Sequence, residues 1–177
     1  MNRVNDANDA RHVAFEGRVF SVEVAAQRSP DGATRTVEIV RHAPSVVLIP
    51  IEDDGRVVLV RQFRAPLGQM TWEFPAGGVN ADESADAAAE RECEEETGRV
   101  PRRIERISAL YPAPGYCDEE LIFYRVSDLA PAAPDSPRKP DPDEDIEARV
   151  LPVQEARSMV DRGEIVDLKT AYALTLL

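Results

Sequence analysis

Residues 82–98 hold eight acidic side chains and one arginine, a net charge of −7 in seventeen positions. Four alanines and several glutamates give residues 84–97 high helix propensity. Ser84 is suited to cap the helix N-terminus, and Gly98 to stop the helix. Just upstream, Pro75-Ala76-Gly77-Gly78 joins a short strand to this helix. Glycines in such a loop let the backbone approach a neighbouring group closely. The middle of the chain is therefore committed to a strand, a glycine loop and an acidic helix in direct succession.

At 3.6 residues per turn, Glu92, Glu95 and Glu96 fall within an arc of about 100°. Glu92 stands at i,i+3 to Glu95 and at i,i+4 to Glu96, spacings at which like charges repel by a few tenths of a kcal/mol per pair. A solvated acidic face tolerates that cost, and Arg91 is placed to offset part of it. A divalent cation also removes it, because Mg²⁺ takes oxygen ligands from carboxylates, waters and substrate phosphates. The pattern admits both readings. Cys93 lies off the glutamate arc, where a small buried apolar role suits it.

Around this centre the chain reads mainly as strands. Residues 18–24 and 34–41, separated by Ser29-Pro30-Asp31-Gly32, predict an N-terminal hairpin. Residues 45–51 and 56–63, separated by Asp53-Asp54-Gly55, predict a second. Residues 71–74 form a short strand ending at Pro75, with Trp72 and Phe74 as core candidates. Residues 104–110, 121–126 and 146–151 read as further strands, and 153–163 and 167–177 as closing helices. Prolines 131, 134, 137 and 140 recur at every third position, which predicts an extended, left-handed surface stretch. Residues 1–12 read as a frayed end. Strands and helices do not alternate strictly and no internal repeat is present, so the class is α+β with a mixed sheet.

Charge and composition exclude several functions. With 21 basic and 33 acidic residues, the net charge is −12, which argues against a nucleic-acid or anionic-membrane binder. No apolar run approaches the roughly 18 to 20 residues of a membrane span. The polar N-terminus has no apolar segment of the secretory type. Two cysteines, Cys93 and Cys117, do not make a disulfide framework, and a reducing cytoplasm is the simpler setting. His12 and His42 are isolated from any zinc or nucleophile pattern.

A resemblance now becomes specific. Gly77, five residues, Glu83, seven residues, then Arg91-Glu92-Cys93-Glu94-Glu95-Glu96-Thr97-Gly98 resembles the Nudix box. Every charged and glycine position of that pattern is present. Cys93 and Arg99 stand where aliphatic residues are usual, with Val100 next to the latter. The box spans 23 of the 177 residues. The flanking Val60-Arg61-Gln62-Phe63-Arg64 and Trp72-Glu73-Phe74-Pro75-Ala76-Gly77 resemble the ADP-ribose pyrophosphatase branch, as does Pro114, fifteen residues past the box. The late acidic stretch around Asp143-Glu144-Asp145 is similar to that branch's catalytic loop.

The resemblance implies a Nudix fold, a mixed β-sheet sandwiched between helices. Residues 43–177 would form it, with residues 1–42 as a dimerising β extension. It implies Mg²⁺-dependent hydrolysis of ADP-ribose or a related ADP-sugar, with Mn²⁺ as a substitute metal. A GDP-sugar such as GDP-mannose is the alternative substrate, and a non-catalytic nucleotide-binding protein the alternative class. By resemblance, Glu92, Glu96 and the Ala76 carbonyl hold metal, and Glu95 is a further ligand or a catalytic group. Glu144 is the remaining catalytic acid, among acidic neighbours at 141–147. Glu83 and Arg91 form a structural ion pair, and Gly98 ends the motif. Arg64 is the phosphate contact and Arg61 its runner-up; a three-residue step along a strand puts the two on opposite faces. Glu73 accepts a bond from substrate or pairs with an arginine. Gly77 and Pro114 border the substrate, and Phe20, with Phe15, stacks on the base from the partner subunit of a homodimer. One departure is Val37, where relatives often carry arginine, with Arg35 two residues earlier.

Overall fold

The structure, a computed structural model, describes residues 11–139 and 146–177. The described chain divides into two compact units, one of residues up to 43 with Tyr111–Glu120, the other of Pro44–Leu110 with Leu121–Leu177.

The smaller unit is an antiparallel sheet of β1 (Arg11–Glu16), β2 (Phe20–Arg28) and β3 (Thr34–His42), in that order. The expected hairpin is β2–β3, in register from Phe20 opposite His42 to Arg28 opposite Thr34. Its turn closes through Ser29 N–H to the Ala33 carbonyl at 2.8 Å, with Gly32 at φ +84°, a conformation glycine adopts without strain. β1 is a third strand that the sequence reading does not place, and only its first two residues fall in the expected frayed end. All six of its residues are exposed, so no burial pattern announces it, and its pairing with β2 supplies the order. Residues 111–120 join this sheet: Val40 N–H donates to the Tyr116 carbonyl at 2.7 Å, and Asp118 N–H donates back to Val40. Pro114 lies inside a turn closed by Cys117 N–H to the Ala113 carbonyl at 2.9 Å.

The larger unit contains β4 (Ser45–Pro50), β5 (Val57–Arg64), β6 (Gln69–Glu73), β7 (Ala76–Gly78), α1 (Ala85–Thr97), β8 (Arg99–Leu110), β9 (Leu121–Pro131), β10 (Glu147–Leu151), α2 (Val153–Asp161) and α3 (Leu168–Leu174). A mixed sheet has the order β7-β4-β9-β8, with β4 and β9 parallel; an antiparallel sheet has the order β10-β5-β6. The central strand β4 is buried on both faces. Val46 and Leu48 pack with Ile122, Tyr124 and Val126 under Ala88, Ala89 and Cys93 of α1. Val47 and Ile49 turn the other way, toward Phe123, Val57, Leu59, Phe74 and the α2 and α3 residues Ala156, Met159, Ala173 and Leu174. The mixed sheet thus lies between helices, and the class is α+β.

Three expectations are corrected. Residues 75–78 are not a glycine loop throughout: Ala76–Gly78 form β7, antiparallel to β4. Residues 45–51 and 56–63 do not pair as a hairpin. The Asp53-Asp54-Gly55 turn forms and Ile51 bridges Val57, but β4 and β5 then enter different sheets. β4 is buried along its whole length and β5 over residues 57–60, runs that fit sheets covered on two faces rather than a hairpin with one wet face. The proline stretch is also not one extended segment. Ser136 N–H closes a turn on the Ala133 carbonyl, and Ser136 and Arg138 bind the buried Glu94 carboxylate at 2.5 and 3.1 Å. Those charge-assisted bonds outweigh the local polyproline preference.

Candidate active site

α1 begins and ends as its sequence dictates. The Ser84 hydroxyl accepts from Ala87 N–H at 3.1 Å, and Gly98, at φ +65°, donates its N–H to the Glu94 carbonyl. Ala88, Ala89 and Cys93 seat the helix on the sheet, and burial pushes the Cys93 thiol up to about 12. It is therefore an inert packing group at neutral pH.

The opposite flank of α1 carries the glutamates beside β7. A Cβ built on Gly77 would fall on the Glu92 carboxylate, so only glycine leaves room for that side chain. Glu96 Oε2 accepts from Ala76 N–H at 3.2 Å. Arg91 ties the arrangement together: Nε and Nη2 donate to Glu83 at 2.9 Å each, and Nη2 also donates to the Gly78 carbonyl. Its Nη1 reaches Glu92 Oε1 at 2.7 Å and Glu95 Oε2 at 2.8 Å. The Arg91 fork and the Asn80 donors hold the Glu83 carboxyl below its usual range. A cavity of about 420 Å³ is lined by Ala76, Gly77, Gly78, Asn80, Arg91, Glu92, Glu95 and Glu96.

Of the residues singled out in the sequence, Ala76, Gly77, Arg91, Glu92, Glu95 and Glu96 thus border one cavity, and Glu83 and Gly98 fix its frame. The carboxylates are not gathered into one shell. Among the described residues no three His, Cys, Asp or Glu side chains form a group that could hold a metal ion. Glu92 and Glu95 instead share Arg91. The donor set nevertheless fits a hard divalent cation: every donor is oxygen, and the Gly77 cradle brings backbone against carboxylate. With three carboxylates against one guanidinium, the lining is net negative, the field such a cation would neutralise.

Arg64 and Glu73 meet elsewhere in this unit, on β5 and β6. Arg64 Nε and Nη2 donate to Glu73 at 2.8 and 2.6 Å. Thr71 Oγ1 and Lys169 Nζ also donate to that carboxylate. Burial pushes the Glu73 carboxyl up, but the Arg64 bonds, the Lys169 ammonium and Thr71 outweigh it and hold the group at about 2. Of the two sequence readings of Glu73, the arginine pair is the one the geometry displays. Arg61 is more exposed, and its guanidinium lies 4.0 Å from Glu147. Lys169 and Asn80 were not singled out by the sequence. Lys169 is one of only two lysines, but nothing local marks its reach to Glu73. Phe15, Phe20 and Pro114 belong to the smaller unit, where the Phe15 and Phe20 rings lie 5.7 Å apart. Glu144 lies outside the described residues.

Comparison with known proteins identifies the family. The NUDIX domain model matches residues 41–171. The chain is 32% identical to an ADP-ribose pyrophosphatase of Bacillus subtilis over 177 residues, covering 100% of this chain and 95% of the relative. It is 33% identical to a methanol dehydrogenase activator of Bacillus methanolicus, covering 92% and 87%. A solved structure of an ADP compounds hydrolase superposes with a TM-score of 0.77 at 21% identity, covering 99% of this chain and 94% of that one. That structural match extends over both β-rich units as well as the box, and the chain belongs to the Nudix hydrolase family.

Proposed function

We propose that this protein hydrolyses the diphosphate bond of ADP-ribose, or a related ADP-sugar, to AMP and ribose 5-phosphate. The observation that carries the reading is the end-to-end similarity to an ADP-ribose pyrophosphatase, at 32% identity over the whole chain. The cavity supports it, since Glu92, Glu95 and Glu96, carboxylates of the kind a non-catalytic Nudix binder has often lost, are kept together around Gly77. Glu92, Glu95, Glu96 and the Ala76 backbone would hold a divalent cation, Mg²⁺ with Mn²⁺ as substitute. When bound, that cation supplies positive charge against the diphosphate and acidifies a water.

The protein's own groups do the rest. Arg91 positions Glu92 and Glu95 through one Nη1. Glu95, whose side chain is the more open of the pair, accepts the proton of the attacking water, with an acid of residues 141–147, Glu144, as its partner in that role. Arg64 grips phosphate oxygen with the donors that Glu73 leaves over, since a guanidinium has five N–H groups and the fork uses two. The exposed Val13, Phe15, Val19 and Phe20 give the smaller unit an apolar surface of the kind a second copy covers, in a homodimer. Phe20 and Pro114 would border the substrate there. The two free cysteines fit a reducing cytoplasm, and no helix among the described residues is long and apolar enough to cross a membrane.

Product analysis with ADP-ribose, GDP-mannose and a nucleoside triphosphate, each with Mg²⁺ and with chelator, tests the reading. Metal-dependent AMP release, fastest from ADP-ribose, is the expected outcome. Preferential GDP-mannose cleavage replaces the substrate, and no cleavage of any of the three removes the activity.

A further inference from the structure

The N-terminus of α3 is fastened to the end of β6 by contacts that the diphosphate chemistry above does not use. Phe74 N–H donates to Thr170 Oγ1 at 2.8 Å, and Thr170 Oγ1 donates to Asp167 at 2.6 Å. Thr170 is completely buried. Asp167 also caps α3, accepting from Thr170 N–H at 3.0 Å, and it lies 2.9 Å from the Lys169 ammonium. Lys169 then reaches the Glu73 carboxylate, on the same oxygen that receives Arg64 Nη2. Glu73 is 3% exposed, so its carboxylate needs full compensation, and Arg64, Lys169 and Thr71 together provide it. A cavity of about 280 Å³ opens at this network, bounded by Arg64, Thr71, Glu73, Asp167 and Lys169 with apolar walls that include Leu67.

We propose that Lys169 is a positioning residue for substrate binding: it pins the Glu73 carboxylate in the plane that orients the Arg64 guanidinium toward the substrate's phosphates. The inference rests on Arg64 being the phosphate contact, as proposed above. Without the ammonium, Glu73 would have one strong partner in place of two, and the Arg64 fork would follow the carboxylate's rotation. A lysine suits this task because its compact charge binds one carboxylate oxygen, Oε2, beside Arg64 Nη2, and leaves Oε1 to Arg64 Nε and Thr71. The guanidinium donors outside the fork then keep one direction, the geometric condition for bidentate phosphate recognition.

The test is a double-mutant cycle on ADP-ribose hydrolysis, with Lys169→Gln, Lys169→Arg, Arg64→Ala and the Gln/Ala double variant. Lys169→Gln should raise KM about tenfold and leave kcat within about threefold, and Lys169→Arg should recover most of the loss. In the Arg64→Ala background, Lys169→Gln should have no further effect on KM, because the residue acts through Arg64. Additive effects in the two backgrounds overturn the proposal, as does a Gln variant that lowers kcat with KM unchanged. A Gln variant that fails to fold, read by circular dichroism, also overturns it, since the role would then be structural. If wild-type protein leaves ADP-ribose intact, the activity reading fails by itself. The same cycle is then read as ADP-ribose affinity by calorimetry, with the same two decisions.

Discussion

The Glu92 carboxylate occupies the space where a side chain on Gly77 would begin. Gly77→Ala should therefore displace Glu92 rather than strain the backbone of β7, where Gly77 does not sit at positive φ. Loss of about 10- to 100-fold in turnover is expected, the scale seen when a group that orients a metal ligand is lost. Thermal unfolding should move little. Full activity in this variant would mean that the Glu92 side chain is not held where the chemistry needs it.

Glu96→Gln and Glu92→Gln address the carboxylates themselves. Each removes one negative charge from a helix flank where Glu92, Glu95 and Glu96 crowd, so the fold should persist. Turnover at saturating Mg²⁺ should fall by at least about 100-fold. Steady-state kinetics alongside a melting curve separate the two effects, and near wild-type kcat in either variant would remove that glutamate from the metal assignment.

What the sequence discloses of this site is its local part. Ser84, Gly98 and the spacing of Glu92, Glu95 and Glu96 are readable because caps and helical periodicity act within a few residues. The Glu83–Arg91 pair spans only the N-cap and the first turns of α1 and is likewise visible in the motif. The Arg64–Glu73–Lys169 network is not, because Lys169 lies 96 residues along the chain from the carboxylate it binds. The same limit explains β4 and β5: the turn between them is legible, but the strands that claim each of them come from β7, β9, β6 and β10. β1 escapes for the opposite reason, since its exposed residues carry no burial pattern to read.

The Glu73 carboxyl, held at about 2 against an ordinary value of 4.5, makes stability depend on acid pH. A carboxyl whose folded value is depressed contributes stability that is present above the unfolded value and lost as pH falls through the folded one. Between pH 4.5 and about 2 the protein should lose about 3 kcal/mol from this group. Denaturant melts across that window check it. In Glu73→Gln the slope over the same window should flatten, and an unchanged slope would show that the carboxyl is not held by Arg64 and Lys169.

Arg91→Lys probes the fork that joins four neighbours. A lysine ammonium is a point charge with three donors and cannot span Glu83, Glu92, Glu95 and the Gly78 carbonyl at their present distances of 2.7 to 2.9 Å. Glu83 is 16% and Arg91 20% exposed at the side chain, between the limits for buried and surface pairs. A cost of about 2 kcal/mol follows, or a fall of about 4–8 °C in Tm. Because Arg91 also holds Glu92 and Glu95, more Mg²⁺ should be needed for half-maximal turnover in the variant than in the wild type. Thermal melts and Mg²⁺ titrations measure the two separately. A lowered Tm with an unchanged Mg²⁺ requirement would confine Arg91 to the loop–helix joint with Glu83, and the orientation of Glu92 and Glu95 would then come from the Gly77 cradle and the helix itself.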